Sequence, residues 1–199
     1  EPLSAEDMDR ITREIMPAHL HQSFAATQEA DFSHYEPGVA RFRVNVFMSF
    51  GVPAIAMRHV KSKIPTFEEL NVPVVLKELA HGERGIILMS GVTGSGKSTT
   101  LAAIIGEINR LERRRIITVE DPIEYMFVDD KCVISQREVG LDTMSYEEAL
   151  KHLLRQDPDV ILIGEMRDRL SISVALLAAE TGHLVLSTVH ASNSSTAVP

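Results

Sequence analysis

The sequence has no tryptophan, one cysteine, and an aromatic content of only 5%. A single thiol, Cys132, can form neither an internal disulfide nor a thiolate metal site. It reads as a small buried hydrophobe in a protein of a reducing compartment, the cytosol. Scarce aromatics leave few platforms on which bases could stack. Basic residues are also in deficit: 20 Lys and Arg face 28 Asp and Glu, a formal charge of -8. That balance argues against holding nucleic acid by non-specific charge. No apolar run approaches the roughly 20 residues that span a bilayer. No basic-plus-apolar leader opens the sequence, so nothing marks it for export. Hydrophobic residues at 44% and charged residues at 24% are ordinary globular values and exclude disorder, collagen and coiled coil as whole-chain descriptions. A length of 199 residues suits one large domain or two small ones.

What is present changes character near residues 60–85. Before that point helices precede strands. Ser4 to Asp7 form a loose capping box, Leu3, Met8, Ile11 and Ile15 recur at helical spacing, and Pro17 ends the helix. A second helical stretch covers 19–29. Arg41 to Phe47 alternates with period two, and Ala54 to Val60 reads as its antiparallel partner across a turn at Gly51. These features predict a small α+β domain over 1–60, incomplete at its start. Residues 61–84 read as a linker with short helical starts at Thr66 and Pro73. From Gly85 to the end, 85–199, short apolar strands alternate with helices, which predicts a mainly parallel, doubly wound α/β core. Arg113, Arg114 and Arg115 close a helix and read as solvated charge favourable to its negative end.

The strongest chemical signal is Gly91-Val92-Thr93-Gly94-Ser95-Gly96-Lys97-Ser98, a complete phosphate-loop motif between a strand and a helix. Its glycines let backbone N–H groups curl around phosphate oxygens, and the helix that follows points its positive end at them. Lys97 would supply charge to the β- and γ-phosphates, and Ser98 a hydroxyl to Mg²⁺. Val160 to Gly164 is a strand whose four apolar residues place it in the core, and Glu165 emerges at its C-terminal end, where open α/β sheets bind ligands. The run Glu120-Asp121-Pro122-Ile123-Glu124 carries three carboxylates after another core strand. It could orient water, a hydroxyl or a metal, and spacing does not say which carboxylate acts. His190 follows the last strand on the ligand side and suits a γ-phosphate sensor, whereas His183 lies at the opposite end. His19 and His21 point apart on a helix and make a poor metal pair. Arg43 and Arg58 gain no task from pattern alone.

Four blocks together resemble the ATPases of type II secretion and type IV pili: Gly91 to Thr99, Ile117 to Glu124, Arg155 to Asp168, and Glu180 to His190. They correspond to that family's Walker A, Asp box, Walker B and His box. Gln136-Arg137-Glu138-Val139-Gly140 and Ala179 to His183 lean to its pilus retraction, or twitching motility, branch. The resemblance implies a RecA-like core after part of a PAS-like domain, and ATP and Mg²⁺ as cofactors. Glu124 would polarise the attacking water, and Glu165 would hold Mg²⁺ and its water shell. His190 would sense the γ-phosphate. Thr99 would complete the nucleotide contacts, which Arg43 and Arg58 would reach from the N-terminal domain. It further implies a homohexamer at the cytoplasmic face of the inner membrane, working on a pilus platform protein and not on nucleic acid. Pilus assembly, type II secretion and DNA transfer are the alternative tasks for such a core. Family members begin earlier and continue past Pro199, so the sequence reads as a portion of such a protein.

Overall fold

The computed structural model describes residues 3–189. The chain divides into two compact units, Glu1–Val60 and Lys61–Pro199. In the first, helix α1 (Ala5–Ile15) is capped as its sequence demands. Ser4 Oγ accepts the Asp7 N–H at 3.1 Å, and the Asp7 carboxylate accepts the Ser4 N–H at 3.2 Å. A 3₁₀ turn and α2 (His21–Thr27) follow, and Gln28 ends the helix in the left-handed region at φ 61. Strands β1 (Glu29–Glu36), β2 (Ala40–Ser49) and β3 (Val52–His59) form an antiparallel sheet in that order. Val44 and Val46 are fully buried on one face, with Ala30 and Met16. The register sets Arg43 directly opposite Arg58, so both lie on the other face, and both are exposed.

Strand β1 was not anticipated. Polar Glu29, Asp31 and Ser33 alternate with Ala30 and Phe32, which join the apolar cluster, but the period-two signal is short and runs out at His34, Tyr35 and Glu36. Pairing with β2 from Glu29 to Glu36 extends the strand beyond that short pattern.

The second unit is α/β with helices on both sheet faces. Its elements are α3 (Phe67–Leu70), α4 (Val75–Ala80), β4 (Gly85–Ser90), α5 (Lys97–Leu111), β5 (Arg115–Glu120), β6 (Val133–Glu138), α6 (Tyr146–Leu153), β7 (Val160–Ile163), α7 (Arg169–Glu180) and β8 (Leu184–Val189). The five strands pair in parallel in the order β4-β8-β7-β5-β6, as the alternation of strands and helices implied. Successive residues sort to opposite faces with the period of two. Ile116, Leu162 and Leu186 pack with α5, while Ile117, Ile161 and Val185 pack with α6 and α7. Ile104, Ile105 and Ile108 of α5 are wholly buried, each contributing about 2 kcal/mol. Residues 61–84 belong to this unit: Phe67 and Ala80 sit in the same core cluster as α5.

The three arginines after α5 are not all solvated charge. Arg114 Nη1 donates to the Gly82 carbonyl at 2.7 Å and pairs with Glu112, and Arg115 Nε donates to the Gln156 carbonyl at 2.7 Å. Carbonyls left over at distant turns recruit them, which helix-terminus reasoning cannot foresee. Cys132 is buried, as expected of a lone thiol here. Among the described residues no helix is long and apolar enough to cross a membrane.

Candidate nucleotide site

Every parallel strand of the second unit ends on the same edge of the sheet, and the phosphate loop, the acidic turn and Glu165 all leave the sheet there. The phosphate loop joins β4 to α5. Gly94 and Gly96 have φ of +80 and +94, which a side chain would strain. Gly96 is also the N-cap of α5, so no side chain stands before the first turn and its free N–H groups. Lys97 Nζ donates to the carbonyls of Gly91 at 2.7 Å and Val92 at 3.2 Å, which arches its ammonium over the loop. Ser98 and Thr99 are half-buried in the first turn. Thr93 and Ser95 are exposed on the loop.

The acidic turn leaves β5 through a cis Asp121–Pro122 bond. Its two glutamates have opposite surroundings. Glu120 is buried; burial pushes its carboxyl up to about 7, against hydrogen bonds that favour the charge. Those bonds come from Thr118 Oγ1 at 2.6 Å, Gln136 Nε2 at 3.2 Å and the backbone N–H of Glu124. Glu124 is exposed, on a backbone that Glu120 helps to hold. Next to it Tyr125 is buried, with its hydroxyl 2.9 Å from Thr99 Oγ1. That contact joins the acidic turn to the first turn of α5.

Glu165 follows Gly164 at the end of β7, half-buried, and its carboxylate accepts from Arg167 Nε at 2.6 Å. Arg167 also lies 3.7 Å from Asp121, so it ties the β7 end to the acidic turn. The β8 hydroxyls fix this end: Ser187 Oγ donates to the Ile163 carbonyl at 2.6 Å and Thr188 Oγ1 to the Gly164 carbonyl at 2.8 Å. By register, Leu88 of β4 and Ile163 of β7 both face Ser187. The phosphate loop and Glu165 therefore leave the sheet at one level, two strands or about 10 Å apart.

Among the described residues no group of three or more His, Cys, Asp or Glu could hold a metal. Mg²⁺ needs no such cage, because it keeps several waters and takes phosphate oxygens with one or two protein ligands. Ser98 and Glu165 fit that smaller demand. Arg43 and Arg58 belong to the first unit, and His190 lies outside the described residues. The sequence reading missed Tyr125, Gln136 and Arg167. Tyr125 and Thr99 are 26 residues apart, and no periodicity links such pairs.

Comparison with known proteins agrees with this geometry. The family described as "Type II/IV secretion system protein" matches residues 36–199. The type IV pilus ATPase PilU of Pseudomonas aeruginosa is 45% identical over 197 residues, 99% of this chain and 52% of its own. The type IV pilus retraction ATPase PilT of the same organism is 46% identical over 189 residues, 95% of this chain and 55% of its own. The crystal structure of the pilus retraction motor PilT with bound ADP is similar at a TM-score of 0.89 and 47% identity, covering 94% of this chain and 54% of that one. The chain thus spans about half the length of the relatives that it matches.

Proposed function

The chain belongs to the type II/IV secretion system protein family, and from that premise we propose that it is the ATP-hydrolysing part of a motor that withdraws type IV pili. One observation carries the reading. A complete phosphate loop and an exposed carboxylate on a held turn are joined at one edge of a parallel sheet by the Thr99–Tyr125 contact. Residues 1–60 act as the N-terminal domain and 85–199 as the RecA-like core, against which 61–84 pack as they lead into it.

The reaction follows from the parts. The N–H groups of Gly91 to Thr99 cradle the phosphates, and Lys97 exchanges two loop carbonyls for phosphate oxygens. Ser98 and Glu165 would hold Mg²⁺, which would supply neutralising charge to the phosphates when bound. Glu124, exposed at the turn, orients the attacking water and accepts its proton. Glu120 is less available to that water, because its carboxyl is buried and already engaged three times. Arg43 and Arg58, paired across one strand register, contribute positive charge to the γ-phosphate of a nucleotide on the same or a neighbouring chain. His190 senses that phosphate. The working form is a homohexamer in the cytoplasm, set against an inner-membrane platform protein. Sequences near those named PilT and PilU, with the Gln136 to Gly140 segment, support retraction over assembly.

The test is nucleotide binding and turnover by the full-length protein. Lys97→Ala should abolish ATP binding, while Glu124→Gln and Glu165→Gln should bind ATP and lose about 10²-fold or more in turnover. Wild-type ATP affinity in Lys97→Ala would refute the phosphate-loop assignment.

A further inference from the structure

Strand β6 carries neither the phosphate loop nor the acidic turn, yet two of its side chains reach the turn. Gln136 Oε1 accepts the N–H of Phe127 at 2.9 Å. Gln136 Nε2 donates to the carbonyl of Tyr125 at 2.8 Å and to Glu120 Oε1 at 3.2 Å. Only the amide oxygen can meet an N–H, and only the amide nitrogen can meet a carbonyl, so both ends of the group are used in one orientation. Two positions along, Glu138 Oε2 accepts the N–H of Ile123 at 3.0 Å.

The pattern of these bonds is informative. A residue in a parallel ladder meets the C=O of one residue and the N–H of the next but one on its neighbour. Gln136 presents that same pair of groups to Tyr125 and Phe127 through its side chain. Lys61 does so with its backbone from another partner position: its N–H donates to the Glu124 carbonyl at 3.2 Å, and its carbonyl accepts the Met126 N–H at 2.9 Å. Residues 124–127 are therefore laddered by a backbone through 124 and 126 and by a surrogate peptide through 125 and 127. Ile123 and Tyr125 are buried on either side, and Glu124 alone projects between them.

We propose that Gln136 is a positioning residue for hydrolysis: its carboxamide acts as a stand-in strand that holds the peptide groups beside Glu124 and so fixes where that carboxylate meets water. The inference rests on the ATPase reading above. Glutamine is the side chain that fits, because glutamate lacks the donor for the Tyr125 carbonyl, methionine lacks both groups, and asparagine is a methylene shorter.

The experiment compares Gln136→Met and Gln136→Glu with the wild-type full-length protein. Three quantities are read: kcat, the affinity for a fluorescent ATP analogue, and amide hydrogen exchange. Both variants should lose about 10²-fold in kcat, the scale of a misplaced catalytic group, while analogue affinity stays within a few-fold. The Phe127 amide should exchange faster, with α5 amides unchanged. Wild-type kcat in either folded variant would overturn the proposal. So would equal losses in kcat and affinity, which would mean general damage. If the wild-type protein neither binds nor hydrolyses ATP, the ATPase reading fails instead. Exchange then decides the clamp alone, and an unaltered Phe127 amide would refute it.

Discussion

Glu120 shows how one side chain can stabilise a turn and burden the fold together. Its carboxyl titrates near 4.5 when unfolded and at about 7 when folded. Between those values the folded state binds the extra proton, so stability falls as pH rises through the window. Below it both states are neutral and there is no penalty. Above it the buried charge costs at most about 3 kcal/mol. Glu120→Gln should remove that slope, since a neutral amide has nothing to ionise. The difference in melting temperature, variant minus wild type, should be more positive at about pH 8 than at about pH 5. A difference that is constant with pH would mean that Glu120 keeps an ordinary carboxyl in the fold.

At the scale of elements, the end of β7 is set by a close approach. Gly164 donates its N–H to the Val119 carbonyl at 2.9 Å, and Tyr146 Oη donates to the same oxygen at 2.9 Å. A Cβ on Gly164 would come to 2.8 Å of Tyr146 Oη and 3.3 Å of Val119 O. Gly164→Ala should therefore destabilise by about 1–3 kcal/mol. Part of that loss should disappear when Tyr146→Phe clears the hydroxyl, a coupling that chemical denaturation of the double mutant would measure. Additive losses would exclude the contact as the cause. Elements of this kind were largely legible in the sequence. The apolar runs of β4, β5, β7 and β8, the caps Ser4, Thr66 and Ser145, and the phosphate loop all depend on neighbours within a few residues. What was not legible depends on partners far along the chain. Arg114 needed the Gly82 carbonyl, and the acidic turn needed Gln136, Glu138 and Lys61. The sequence placed Glu124 and Glu165 after core strands, but not the braces that hold them.

For the whole molecule, the consequence of the proposed function is a phenotype. Cells without the full-length protein should assemble surface pili and fail to withdraw them, which fluorescent labelling of living pili would show directly. Cells that lose their pili would place the protein in assembly instead. Either task requires hydrolysis to be coupled to movement, and one described contact bears on how. Lys61 follows Val60, where the first unit ends, and it is the residue whose backbone is laddered to Glu124 and Met126. Whatever displaces Lys61 therefore displaces the peptides on both sides of Tyr125, and on the proposed function the rate of ATP cleavage would follow the position of that one residue.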